Sequence, residues 1–341
     1  GIATAAAGII VGAVAQTGIG TAMTSIVEVL SGGSIILMLI LTAVLSLILG
    51  MGLPTTANYI VVSSIMAPVI FELGAQSGLL VPLIAIHMFV FYFGIMADVT
   101  PPVGLASFAA AAVSGGSPLK TGFVAFFYSL RTALLPFLFI FNTDLLLIDV
   151  DWGHGILIFV VATVAMLVFA AATMGYFVVR SRIYESLLLL LVAFSLFRPG
   201  FWMDMIDPPF EERPGIELQE SVMEAPPGST MRFVVDGLDE FGAPRQFFTE
   251  LTVPEGETAA ERLEAWGLVV SERDGQLIVD DVLYDSPAAQ VGFDWDYVIV
   301  TVKVPLEQMP KELIFIPALA LLAAVWFMQR SRRPQAGPAP A

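Results

Sequence analysis

Long apolar runs separated by charged residues dominate the first 203 positions. The chain is uncharged from residue 1 to residue 27, and 43 uncharged residues then separate Glu28 from Glu72. Because a helix needs about 20 apolar residues to cross a bilayer, the first run predicts one helix. The second run is too long for one span and predicts two short helices. The pattern indicates a multi-pass membrane protein.

Two segments that contain glycine and proline interrupt the apolar runs. Residues 50–58 separate helices predicted at 35–49 and 54–71, and residues 98–104 break a run predicted to extend from 79 to 113. An unpaired backbone group at membrane depth costs several kcal/mol, so a break persists only where other groups replace the lost bonds. One break is compatible with a simple kink. Two breaks with hydroxyls beside proline are typical of the discontinuous helices of secondary transporters.

The first break predicts an anion site. Its glycines permit a sharp reversal, and a proline is favoured at the first position of the outgoing helix. The positive end of that half-helix attracts a carboxylate. The candidate substrate-binding residues are Gly50, Gly52, Pro54, Thr55, Thr56 and Asn58.

The second break predicts a cation site. Pro101 and Pro102 have no N–H, so the carbonyls of Ala97 and Asp98 are expected to lack helical donors. The Thr100 hydroxyl is expected to cap a half-helix that begins at Pro101. Oxygen ligands suit a small hard cation. The candidate Na+ ligands are Ala97, Asp98, Thr100, Pro101, Pro102 and Gly104.

Two ionisable residues near the second break also suggest a proton relay. His87 lies in an aromatic run, where a hydrogen-bonded packing role is favoured over proton transfer. Asp98 could relay protons or orient Thr100. The residues leave both the Na+ and the proton interpretations open.

The remaining apolar runs predict further spans and a topology. One span is expected at 121–141, two more lie within 151–203, and the last occupies 312–329. Basic residues favour the cytoplasmic side, and the ones that set the orientation are Lys120, Arg180, Arg182, Arg330, Arg332 and Arg333. Counting crossings from Lys120 places residues 204–311 outside the cytoplasm and residues 330–341 in a cytoplasmic basic tail.

Charge separates the 204–311 region from the membrane part. The net charge of the chain is −16, and this region alone holds 23 acidic and 7 basic residues. Such a surface repels phosphate backbones, so no nucleic-acid partner is expected. Strands are predicted at 231–235 and 247–253, and a capping box at Thr258 predicts a helix through Trp266. The region is expected to be a small soluble α/β domain.

The absence of cysteine excludes disulfides, thiolate metal sites and cysteine nucleophiles. No transition-metal site, catalytic residue or organic cofactor is predicted. No signal peptide precedes the first apolar run, which opens at Gly1. The sequence is therefore expected to be the C-terminal part of a longer protein.

Three segments together resemble the large membrane subunit of TRAP transporters, and most closely the fused permeases that work with TAXI-type binding proteins. They are Gly-Met-Gly-Leu-Pro-Thr-Thr-Ala-Asn-Tyr at 50–59, His-Met-Phe-Val-Phe-Tyr-Phe at 87–93 and Ala-Asp-Val-Thr-Pro-Pro-Val-Gly at 97–104. The resemblance covers about residues 1–150. It implies an all-α polytopic fold of the elevator type, with 35–71 as a re-entrant hairpin and 79–113 as a broken helix.

The same resemblance implies function and partners. It implies Na+-coupled transport of an organic acid across the bacterial inner membrane, with a periplasmic TAXI-type protein delivering the substrate. It also implies that an N-terminal remainder of the permease supplies the first repeat and the scaffold helices.

Residues 275–299 resemble the latter half of a PDZ domain, although Trp295-Asp296 replaces the usual Gly-Asp. A PDZ-like module on a membrane core also suggests a membrane-embedded protease or a non-transporting scaffold. The chain lacks the His-Glu-x-x-His and Gly-x-Ser-x-Gly motifs of two protease classes. A scaffold would explain the acidic module but not the two broken elements.

Overall fold

The computed structural model describes residues 2–53, 55–101, 103–129, 132–148, 150–238 and 242–332. The chain forms two compact units, residues 1–133 with 209–307 and residues 134–208 with 308–341. The helices of the first unit are α1 (Ile2–Thr17), α2 (Ile19–Ser31), α3 (Ile35–Gly50), α4 (Thr55–Gln76), α5 (Leu83–Met96), α6 (Leu105–Ser114), α7 (Pro118–Ser129), α12 (Leu218–Glu224), α13 (Ala259–Trp266) and α14 (Pro287–Gln290). Those of the second unit are α8 (Leu134–Phe141), α9 (Trp152–Met174), α10 (Ile183–Phe197), α11 (Pro199–Ile206) and α15 (Phe315–Ser331).

The N-terminal apolar run is two helices and not the single predicted one. Gly18 adopts a left-handed conformation with φ 65° between α1 and α2, and the two helices are bent by 61°. Glycine enters this conformation without the steric cost that a Cβ would impose. The expectation of one straight helix was wrong because composition alone does not show which glycine leaves the helical conformation.

The hairpin and the broken helix predicted at 35–71 and 79–113 correspond to α3 with α4 and α5 with α6. Helix α4 continues past residue 71, at which its end was predicted, and past the charge of Glu72 as far as Gln76. A short turn with Gly78 at φ 79° then ends it, because the chain reverses there and the Leu79 N–H donates back to the Gly74 carbonyl at 2.8 Å. A single charge did not stop the helix, but a left-handed glycine did.

The predicted span 121–141 comprises α7 and α8, and residues 130 and 131 between these helices lie outside the described residues. Apolar segments long enough to cross a bilayer occur in both units. They are Thr55–Gln76, Pro118–Phe141, Trp152–Met174 and Lys311–Ser331. These helices, together with the shorter apolar ones, give the fold of a multi-pass membrane protein.

The second of the two spans expected within 151–203 is predicted at about 183–203, and the structure bends it by 78° between α10 and α11. Pro199 occupies the first position of α11 and has no N–H to continue the α10 hydrogen-bond pattern. The Phe201 N–H, which would bond to the Phe197 carbonyl in a continuous helix, donates to the Arg198 carbonyl instead. The Asn142 side chain donates to the Phe197 carbonyl at 2.7 Å. The prediction of a continuous span was therefore wrong at Arg198.

A buried polar cluster ties α15 to the α9–α10 connection. The Gln329 side chain is fully buried and accepts from the Val178 and Val179 N–H groups at 3.0 and 3.2 Å. Its amide donates to Ser181 Oγ at 3.0 Å and to Glu185 Oε2 at 2.9 Å. Glu185, also buried, is paired with Arg332. Because each polar group has a partner, this cluster avoids the cost of an unpaired buried charge.

The acidic region is an antiparallel sheet domain. Its strands are β1 (Phe210–Pro214), β2 (Thr230–Leu238), β3 (Pro244–Thr252), β4 (Leu268–Arg273), β5 (Gln276–Val282) and β6 (Val298–Pro305). The order is β3-β2-β6-β5-β4, with β1 also paired to β6. Strand β2 contains the first predicted segment, and β3 contains the second except for Val253. Helix α13 begins after Thr258, whose side chain accepts from the Glu261 N–H.

The core of the sheet domain is built around Phe233, which makes edge contacts with Trp266 and Phe293. Gly215 passes so close to β6 that an added Cβ would lie 1.7 Å from the Ile299 carbonyl oxygen. The sheet domain therefore has a hydrophobic core of its own and a closely packed entry segment.

Candidate functional site

The first break is a tight reversal between α3 and α4. Gly52 has φ 78° and is exposed, and the Leu53 N–H donates to the Gly50 carbonyl at 3.4 Å. Pro54 lies outside the described residues. Thr55 and Thr56 are exposed in the first turn of α4. The first N–H groups of a helix have no intrahelical acceptor, so this turn presents donors as well as hydroxyls.

Asn58 joins the first break to the broken helix. Its side chain is fully buried, and Nδ2 donates to the Gly94 carbonyl at 2.6 Å and to the Gly50 carbonyl at 3.2 Å. Asn58 Oδ1 is buried without a hydrogen-bond partner among the described residues. Both carbonyls also accept a backbone N–H, that of Gly50 from Leu53 and that of Gly94 from Ala97. The amide group thus adds a second donor at the end of α3 and in the last turn of α5.

This junction requires two glycines. A Cβ on Gly50 would lie 2.7 Å from Asn58 Nδ2 and 2.7 Å from the Gly94 carbonyl oxygen, and a Cβ on Gly94 would lie 2.7 Å from Asn58 Oδ1. Gly50 was a candidate from the sequence, but Gly94 was missed. Its one sequence signal is a lone glycine after the aromatic run at 87–93.

The second break replaces the end of α5 with a short 3-10 helix, Ala97–Val99. The next helix, α6, begins only at Leu105, after Gly104 in a left-handed conformation with φ 38°. The half-helix therefore does not begin at Pro101 as predicted. The Thr100 hydroxyl donates backward to the Met96 carbonyl at 2.7 Å and does not cap α6.

The carbonyls of the second break differ from the sequence expectation. Ala97 was expected to have a free carbonyl, but its oxygen accepts from the Thr100 N–H at 3.2 Å, because a 3-10 bond reaches one residue less far than an α-helical one. Asp98 has no such donor three residues on, since Pro101 has no N–H. Pro102 lies outside the described residues. Asp98 is half-buried, so its carboxylate and carbonyl are the oxygens most available here.

Further polar groups line the helices around the two breaks. Ser46 of α3 is fully buried, and its Oγ has no partner among the described residues. Helix α3 packs against α5 and the 3-10 helix. The Tyr59 hydroxyl lies 3.0 Å from His87 Nδ1, which gives that histidine the hydrogen-bonded packing role that the sequence favoured. Ser46 was not predicted, because a serine within an apolar helix carries no signal of its own.

Two helix breaks linked through Asn58 within a set of apolar helices are typical of the discontinuous helices of secondary transporters. Residues 1–152 match the family described as the tripartite ATP-independent periplasmic transporter, DctM component. Residues 155–335 match the family described as a domain of unknown function, DUF3394. No curated protein and no solved structure matches the chain. Residues 1–152 are therefore a DctM domain of the TRAP transporter large subunit, which confirms the resemblance seen in the sequence over that part of the chain, and a DUF3394 domain follows it.

The glycine junction gives a direct test. Gly94→Ala should lower the apparent melting temperature of the permease and slow transport, because the new Cβ overlaps the Asn58 side chain. Overpacking of this kind costs roughly 1–3 kcal/mol. Thermal unfolding of the purified permease and uptake in proteoliposomes would measure both effects.

The matched control is Gly155→Ala in α9, where an added Cβ meets its nearest side-chain atoms at 3.9 Å, an ordinary contact. Alanine is the better helix former, so this control should be neutral or slightly stabilised. Equal melting temperatures and uptake rates in the Gly94→Ala variant and the parent protein would contradict the proposed packing.

Proposed function

We propose that the chain forms part of a Na+-coupled permease that carries an organic acid across the bacterial inner membrane. The observation that supports this proposal is the Asn58 bridge, which joins the two breaks through the Gly50 and Gly94 carbonyls. Substrate and ion sites at neighbouring broken helices are the arrangement by which secondary transporters couple two solutes. The family description names a tripartite system, so a substrate-binding protein and a small subunit act with this chain.

The substrate carboxylate is assigned to the start of α4. Thr55 and Thr56 are exposed there, and the positive end of the helix dipole favours an anion. Gly50, Gly52 and Asn58 shape the reversal that directs this helix end. In this proposal Asn58 acts by positioning, because both its amide donor contacts are made to backbone carbonyls.

The coupling ion is assigned to the second break. The carboxylate and carbonyl of Asp98 are hard oxygen ligands, and the second lone pair of the Ala97 carbonyl can join them. Thr100 and Gly104 shape the loop, since the Gly104 N–H donates to the Thr100 carbonyl at 3.1 Å. These oxygens suit Na+ better than a soft metal.

A shared junction also supports movement of the hairpin and the broken helix as one body. Asn58 and the close contact of Gly50 with Gly94 leave no space for the two elements to slide independently. An elevator transporter needs such a body, and the N-terminal remainder of the permease would supply the scaffold on which it moves. The periplasmic partner is proposed to be a TAXI-type protein that delivers the acid.

The sheet domain is proposed to lie outside the cytoplasm. Counting crossings from Lys120 places residues 79–82 on the outer side. In agreement with that count, Gly78 lies against Phe248 of the sheet domain, and a Cβ added to this glycine would lie 3.5 Å from the ring. The short helix α14, opened by Ser286 between β5 and β6, is compatible with a PDZ-like docking module.

The topology can be tested with introduced cysteines, since the chain has none. A cysteine at Tyr284, which is 99% exposed, should react in intact cells with an impermeant thiol reagent. One at Tyr176, in the α9–α10 connection and 59% exposed, should react only after permeabilisation. If only the cysteine at Tyr176 is labelled in intact cells, the topology is the reverse of the proposed one.

The anion site can be tested by removing a hydroxyl. Thr55→Ala or Thr56→Ala should weaken the affinity for the organic acid, because a charge-assisted hydrogen bond contributes about 1.5–3 kcal/mol, roughly 10- to 150-fold. Uptake by the permease with its binding protein, at equal membrane abundance, is the measurement. Thr163→Ala is the control, since that exposed hydroxyl bonds only within α9. Parental affinity in both variants would exclude the carboxylate assignment.

The cation site can be tested by altering its oxygens. Thr100→Ala and Pro101→Ala should each raise the Na+ concentration for half-maximal uptake by roughly two- to tenfold. The first loosens the loop, and the second supplies an N–H to the Asp98 carbonyl, which lacks a donor three residues on. Val99→Ala is the control, because the valine side chain has no oxygen that could bind the ion. If uptake is independent of Na+, depends on a proton gradient and is lost in Asp98→Asn, the Na+ assignment is wrong and the proton relay takes its place.

A further inference from the structure

A cavity of about 470 Å³ lies within the first unit, between the end of α4 and the edge strand β3. Most of its lining is apolar, and Phe71, Leu79, Leu80, Val81, Phe247 and Val291 contribute to it. Its volume is in the usual range for small-molecule sites. Phe71 and Ala75 belong to the last turns of α4, whereas Thr55 begins that helix. The cavity is therefore roughly 25–30 Å from the proposed carboxylate site at 1.5 Å per residue.

Among the described residues, the cavity contains one charged group with no counter-ion. Arg245 of β3 lines it, and Arg245 Nε is buried without a hydrogen-bond partner in the part of the chain that the structure describes. The other charged lining residue, Glu250, is paired with Arg232 at 3.2 Å. An unpaired cation in a partly desolvated site is costly, so an anion that reaches Arg245 is favoured.

Two neighbouring hydroxyls in the cavity donate their protons to backbone carbonyls. The Tyr297 hydroxyl donates to the Leu238 carbonyl at 3.1 Å, and the Thr249 hydroxyl donates to the Val291 carbonyl at 2.9 Å. Phe247 lies on the same face of β3 as Arg245, with the guanidinium 5.9 Å from the ring centroid. One end of the cavity is thus cationic and the remainder is apolar.

We propose that this cavity binds a small organic acid with one carboxylate and an apolar body, held by Arg245. Guanidinium groups bind carboxylates through two parallel hydrogen bonds, and the apolar lining takes up the rest of the molecule. The strongly acidic sheet domain repels anions in general, so binding depends on this one guanidinium together with apolar burial. The proposal is independent of Na+ coupling, because it concerns binding at the other end of α4.

Octanoate is a suitable probe, since it combines one carboxylate with a flexible apolar chain. Titration calorimetry on the intact permease in lipid nanodiscs, with empty nanodiscs subtracted, should show saturable binding at neutral pH. Octanol, which has the same chain length without the charge, should bind at least about tenfold more weakly. Equal binding of octanol and octanoate by the parent protein would overturn the proposal without any variant.

Two variants test separately the charge of Arg245 and the free volume of the cavity. Arg245→Gln should lower octanoate affinity by about tenfold or more, whereas Arg273→Gln, which removes an arginine paired with Asp280 on the same domain, should leave it unchanged. Ala75→Phe should also abolish binding by filling the cavity while keeping the charge. Circular dichroism and melting temperature would verify that each variant is folded. Parental affinity in Arg245→Gln would exclude the site, as would parental affinity in Ala75→Phe.

Discussion

The membrane part of this protein depends on how it satisfies backbone groups where its helices break. At membrane depth water is not available to stabilise the end of a broken helix, and Asn58 supplies an additional hydrogen-bond donor at two places through a single amide. Its donor groups reach the Gly50 and Gly94 carbonyls, which lie on different elements. The contact is possible only because both of those residues lack a Cβ. One side chain thereby sets the register between the hairpin and the broken helix, and the position of the start of α4 follows from it.

Much of this arrangement could be predicted from the sequence because charge and proline mark helix ends in an apolar chain. The separation of α3 from α4 and of α5 from α6 followed from glycine and proline at 50–58 and 98–104. The bends at Gly18 and Arg198 were not predicted. A glycine can adopt either a left-handed or a right-handed backbone conformation. A proline after an arginine at a membrane face is also compatible with a simple helix end. Neither residue therefore predicts a bend unless the packing around it is known.

The candidate site shows the same limit at the level of single groups. Residue types identified the loops, but the partner of each polar group depends on geometry that no spacing reveals. The Thr100 hydroxyl faces backward to Met96, and the carbonyl of Ala97 accepts a 3-10 bond. Gly94 and Ser46 were missed because their importance comes from what lies opposite to them. The sequence motifs therefore located the loops, and the structure assigned the individual contacts.

The sheet domain enters and leaves through neighbouring positions. Strand β1 pairs antiparallel with β6, and the Leu306 N–H donates to the Pro209 carbonyl at 2.9 Å. Just beyond them, the Gln308 amide donates to the Asp207 carbonyl at 2.5 Å. A domain whose two ends meet can be inserted into a loop without separating the residues that flank it. Its acquisition or loss in evolution would leave the Gln329 cluster between α15 and the α9–α10 connection intact, so this lineage could exchange its sheet domain while keeping the same apolar helices.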